Sequence, residues 1–159
     1  MIVAITFYQV VLAVHIMAVV VGFGVMFAYP ILLAGGRRID PRGLPLFHRM
    51  QQQVIQRLIT PSLAVVVIAG IYLASKLHSF SQFYVQFGFV AAIALGGIAG
   101  GFLAPKQAQL AELAEHDLAG DGSLGSEYDT LSHNVSSVSG LASLIVLATI
   151  FVMTAQLGS

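Results

Sequence analysis

His15 is the one ionisable side chain in a long apolar run, Val10 to Leu33, VVLAVHIMAVVVGFGVMFAYPILL. No Asp, Glu, Lys or Arg precedes Arg37. About 20 apolar residues span a bilayer core, so the run reads as a transmembrane helix. An ionisable group inside such a helix is a functional-site hypothesis by default. An imidazole there has two uses. It can ligate a metal, or it can be a neutral polar group hydrogen-bonded to a serine or carbonyl of the next helix. On a helical wheel His15 shares a face with Tyr8, Val11, Ala18 and Gly22. That small-residue face admits a neighbouring helix or a flat cofactor at close range.

The elements that must position His15 follow from charge and hydropathy. Of the 159 residues, 57% are hydrophobic and 9% charged, with a mean hydropathy of +0.88. A soluble domain carries about 25% charged residues, so an integral membrane protein is expected. Four charge-poor windows place spanning helices at about 5–34, 54–76, 80–104 and 133–157. The expected fold is a single all-α transmembrane domain over 1–159, an antiparallel, up-down four-helix bundle. A cleaved signal peptide is not expected, because the run lacks a basic leader and a small-residue cleavage site. There is no cysteine, and hence neither disulfide nor thiolate ligand.

Orientation follows from Lys and Arg. Arg37, Arg38, Arg42, Arg49, Arg57 and Lys106 flank the first and third connections, and Lys76 alone flanks the second. Six against one puts those two connections in the cytoplasm and both termini on the non-cytoplasmic side. The first connection is Arg-rich, whereas the third carries Glu112, Glu115, Asp117, Asp121, Glu127 and Asp129. Loose electrostatic docking between them is expected, each exposed pair contributing about 0–1 kcal/mol.

Local signals refine the elements. AGGRRIDPRG, residues 34–43, should stop the first helix, and Pro45 suits the start of the next. Pro61 should bend the second helix. The third should end near Pro105, followed by an amphipathic helix over 106–118. Ser126 and Asp129 have capping-box spacing for the last helix. In the third helix Ala92, Gly96, Gly100 and Ala104 form a small-residue ridge, with Gly97 and Gly101 beside it, read as a helix-packing surface. Phosphate-loop, zinc and nucleophile-elbow spacings are absent from the chain.

In this topology His15 lies in the outer half of the first helix. Tyr72, Gln86, Thr149 and Met153 come to similar depth on the other three. His, Met and Tyr all ligate haem iron. A copper site wants more than one His or Met converging, and His15 with Met153 could supply that. The remaining histidines sit at helix ends, His78 outside and His48, His116 and His133 in the cytoplasm. Met17 and Met26 read as lipid-facing or core, and Tyr8, Tyr72 and Tyr84 double as interface anchors.

Three stretches carry a family resemblance: AVHIMAVVVGFGVMFAYPILL, HRMQQQVIQRLITPSLAVVVIAGIYLAS with its Thr60-Pro61 pair, and GGFLA at the end of the third helix. Together they resemble the four-helix core shared by HemJ-type protoporphyrinogen oxidases, CopD-like copper proteins and related membrane families of unknown function, the last being the nearer likeness. The resemblance implies a haem- or porphyrin-handling bundle with His15 as the key residue. It also implies a lysine in the third helix, where this chain has Gln86, and a histidine where it has Gly100. Those departures argue against porphyrinogen oxidation by that family's mechanism and leave haem binding open.

The leading expectation is therefore a haem b-binding protein of a bacterial inner membrane, with His15 as metal ligand and Tyr72, Gln86 and Met153 around the cofactor. The alternative is a non-catalytic accessory or assembly subunit of a larger membrane complex. Expected partners are membrane lipid and either further copies or that larger complex, with no nucleic acid. A transporter reading is weakened by the lack of an intramembrane carboxylate.

Overall fold

The structure, a computed structural model, describes residues 6–120 and 122–156. Among these there is no strand, and four helices are long and apolar enough to cross a membrane. They are α1 (Phe7–Ile39), α2 (Pro41–Leu77), α3 (Phe83–Ala119) and α4 (Ser126–Ala155). This is the architecture of an integral membrane protein, with large apolar side chains such as Val20, Ile68, Ile93 and Phe151 turned outward. The expected spans fall along these four helices. Residues 5 and 157, at their outer ends, and Asp121 of the acidic connection lie outside the described residues.

One core joins all four helices. Phe23, Met26, Tyr29 and Leu33 come from α1, and Leu44, Ile55 and Ile59 from α2. Leu95, Ala99, Leu103 and Leu110 come from α3, and Tyr128, Val135, Ala142 and Val146 from α4. Burial is uneven along the bundle. Every described residue of α1 before Gly22 is at least partly exposed, whereas Leu44, Leu110, Tyr128 and Val135 are fully buried.

Close approach is set by small residues, at fewer points than the glycine pattern predicts. A Cβ on Gly22 would meet Ser62 Cβ at 2.5 Å, so α1 and α2 nearly touch backbones there. Higher on the same seam His15 lies over Gly70, and Phe7 meets Tyr72 edge-on at 5.4 Å. On α3, a Cβ on Gly96 would reach Leu63 at 3.2 Å, but one on Gly97, Gly100 or Gly101 would meet nothing within 4 Å. The expected ridge is thus only partly a contact surface. The buried stripe of α3 is Ala91, Leu95, Ala99 and Leu103, one position away.

Two prolines that the sequence marks as able to bend or end helices lie inside continuous helices. Pro61 follows a π-helical turn at Ile55–Ile59, and Pro105 follows another at Gly97–Leu103. A proline cannot donate to the turn before it, and its ring crowds the carbonyl four residues back. Widening that turn removes the clash, and such bulges are the usual way a long helix absorbs the defect. Thr60 helps by donating its hydroxyl to Ile55 O at 2.9 Å. Hence α3 does not stop near Pro105 but runs on to Ala119, and the segment expected as a separate amphipathic helix is its last four turns.

The helix ends show further differences. Capping of α1 is reciprocal: Thr6 Oγ1 accepts from Gln9 N–H, and Gln9 Oε1 accepts from Thr6 N–H. α1 continues through Gly35 and Gly36 to Ile39, with Asp40 starting the next turn by accepting from Arg42 N–H. Tertiary contacts override the glycine pair, because Gly36 packs on Leu44 and Arg37 is held by α4. α2 ends with His78 in the left-handed region, at φ 51°, while Ser79 N–H donates back to Ala74 O. α4 begins at Ser126 as expected, but Gly125 is its cap and no side chain completes a capping box. Asp129 is instead committed to Arg37.

Candidate functional site

His15 sits on the α1–α2 seam. Its Nδ1 lies 3.0 Å from the carbonyl oxygen of Val66, and its Cε1 lies over Gly70. A carbonyl can only accept, so Nδ1 carries the proton and donates. The neutral ring then keeps its lone pair on Nε2. Gly70 lies against the ring, where a Cβ would come within 3.4 Å of His15 Cε1. The small-residue face of α1 is therefore filled by α2, not left open.

The other expected site residues are engaged separately. Tyr72 shares the α1–α2 seam, with its ring against Phe7 and Lys76 Nζ 5.7 Å from its centroid. Gln86 is exposed on α3, and its amide donates to Phe80 O at 3.4 Å. Met153 packs its methyl against Gly88, at the contact of α4 with α3. Thr149 donates its hydroxyl to Ile145 O of its own helix. The hydrogen bonds and contacts described for Tyr72, Gln86 and Met153 are thus made at three separate places. No cluster of three or more His, Cys, Asp or Glu fit to hold a metal ion occurs among the described residues.

A second polar site lies in the core, and sequence reasoning missed it. His48, assigned only to the cytoplasmic end, is fully buried. Its Nδ1 is 2.7 Å from Gln107 Oε1 and its Nε2 is 2.7 Å from Tyr128 OH. Gln107 Oε1 accepts only, so Nδ1–H donates to it and the Tyr128 hydroxyl donates to Nε2. One neutral tautomer thereby satisfies both ring nitrogens and links α2, α3 and α4. Over this group Arg37 stacks 5.1 Å from the Tyr128 centroid and pairs with Asp129, joining α1. Arg49 pairs with Glu115 at 2.8 Å beside it. The expected attraction between basic and acidic segments therefore takes the form of pairs between helix ends. Asp117 instead accepts from Gly125 N–H at 2.7 Å and closes the α3–α4 connection.

The missed signal was periodicity. Leu44, His48, Ile55 and Ile59 form one buried stripe, and Leu103, Gln107, Leu110 and Ala114 form another. Polar residues at core positions of amphipathic stripes mark a buried network more surely than their distance from the membrane does.

No protein-family model, curated protein or solved structure matches this chain.

Proposed function

We propose that the protein binds haem b in a bacterial inner membrane, with His15 as the residue that would ligate the iron. The observation that carries this reading is the Nδ1–H bond to Val66 O. Metal-ligating histidines characteristically donate their second nitrogen to a carbonyl or carboxylate, which fixes the ring and raises its basicity. The thin cover of α1 before Gly22 supports it, since every described residue of that stretch, His15 included, is at least partly exposed. The residues fit one protein ligand. Tyr72 and Met153 pack against Phe7 and Gly88, so His15 is the residue that would hold the group. Haem would supply one-electron chemistry, and this chain's part is to hold and orient it.

The accompanying topology is an antiparallel bundle with both termini on the non-cytoplasmic side. The order of contacts supports the first point: Phe7 pairs with Tyr72, His15 with Gly70, and Gly22 with Ser62. The Lys and Arg distribution supports the second.

A second reading, an accessory subunit of a larger complex, is favoured by a different observation. α2 occupies the very face of α1 that a flat cofactor would use, so His15 already has a structural role there. Visible spectra of wild type and His15→Ala, purified in mild detergent after growth with ample haem, separate the two. A Soret band near unit stoichiometry, lost in the variant, is expected. A band unchanged in His15→Ala removes His15 as ligand, and no band in wild type leaves the accessory reading. In that case the substitution should cost only about 0.6 kcal/mol, the typical value of an interhelical hydrogen bond in a membrane.

A further inference from the structure

Just below the His48 group, toward the middle of the bundle, all four helices border a small cavity of about 20 Å³. Its polar lining is Tyr29 from α1, Gln51 from α2, Gln107 from α3 and Ser139 from α4. Both π-helical turns contribute to its wall, through Ile55, Ile59 and Leu103. Tyr29 is only 2% exposed, and its hydroxyl has no hydrogen-bond partner among the described residues. The Gln107 side chain is close enough to act on that hydroxyl, but the two do not complete a hydrogen bond of good geometry.

These features conflict unless something polar occupies the cavity. A buried hydroxyl without a partner is strongly disfavoured. A site of roughly 10–15 Å³ already holds one water, provided two to four polar groups converge on it. The cavity meets both conditions. We propose that it is a binding site for a single water molecule, which accepts from the Tyr29 hydroxyl and bridges it to Gln107 and Ser139. Through Gln107 the water extends the His48–Tyr128 network inward and brings α1 into it from below, as Arg37 does from above. Its position beside the paired bulges has a physical reason: widened turns do not close tightly on one another, and they leave a gap of molecular size.

The sign of one substitution tests this. Tyr29→Phe keeps the ring stacked on Phe47, 5.8 Å away, and removes only the hydroxyl. If a water is held there, the variant strips it of a partner and the detergent melting midpoint falls. If the hydroxyl is unpartnered, removing it relieves a penalty and the midpoint stays or rises, which overturns the proposal. Water–protein cross-relaxation in deuterated detergent gives an independent readout. A slowly exchanging water signal at the Tyr29 ring and the Gln107 side-chain amide is expected, and it should be lost in Ser139→Val, which fills the cavity. No such signal in wild type overturns the proposal as well.

Discussion

His48 and His15 show how differently one residue type can be used. Both are neutral by hydrogen bonding, but His48 has two buried partners and His15 has one carbonyl. His48→Ala would leave Gln107 Oε1 and the Tyr128 hydroxyl buried without their shared partner. Each orphaned group costs about 1–3 kcal/mol, so a loss of roughly 3 kcal/mol is expected. Tyr128→Phe should cost less, because it leaves only Nε2 unmet, and the double variant should cost less than the sum of the two singles. Reversible unfolding in mixed micelles measures all three. A His48→Ala variant within about 0.5 kcal/mol of wild type would mean that the network contributes nothing. The helical stripe holding His48 was present in the local sequence, but its partners were not legible, since they lie 59 and 80 residues away. His15 was legible because an ionisable residue stands out against lipid.

At the scale of elements, the four spanning helices could be read from hydropathy alone, because in lipid the backbone has few alternatives. The behaviour of Pro61, Pro105 and the Gly35-Gly36 pair could not. The glycine pair is overruled by long-range contacts, which single-sequence signals do not contain, and each proline follows a widened turn that no residue pattern announced. The glycine pattern was half legible for the same reason: a small residue permits contact without saying which side of the helix the neighbour occupies. The structure divides the glycines. Gly22→Ala places a Cβ on top of Ser62 and should destabilise by about 1–3 kcal/mol through overpacking. Gly96→Leu should also destabilise, by forcing Leu63 aside. Gly100→Leu points into open space and should be neutral or slightly stabilising, since glycine costs a helix about 1 kcal/mol relative to better helix formers. Detergent melting of the three variants checks the order. A Gly100→Leu variant as damaged as Gly96→Leu would show that a partner helix covers that face.

For the whole molecule, polarity and burial rise together toward one end. His48, Gln107 and Tyr128 are fully or almost fully buried there, and the Arg37–Asp129 and Arg49–Glu115 pairs close over them. Toward the opposite end α1 is apolar and thinly covered, with His15 in that stretch. A bundle extended beyond the lipid at one end accounts for this division. Where water replaces lipid, the hydrophobic effect returns and the helices pack tightly around a core. Six of the seven Lys and Arg residues lie toward the tightly packed end, so that end is expected to face the cytoplasm. The chain has no cysteine, so single-cysteine variants report sidedness cleanly. Ser123→Cys lies in the exposed connection before α4, and Ser81→Cys in the exposed one before α3. In sealed right-side-out vesicles a membrane-impermeant maleimide should label Ser81→Cys at once, and Ser123→Cys only after permeabilisation. The reverse pattern would invert the protein in the membrane. It would place the His48 network on the outer side and His15 in the cytoplasmic leaflet, where it would meet redox partners from the other compartment.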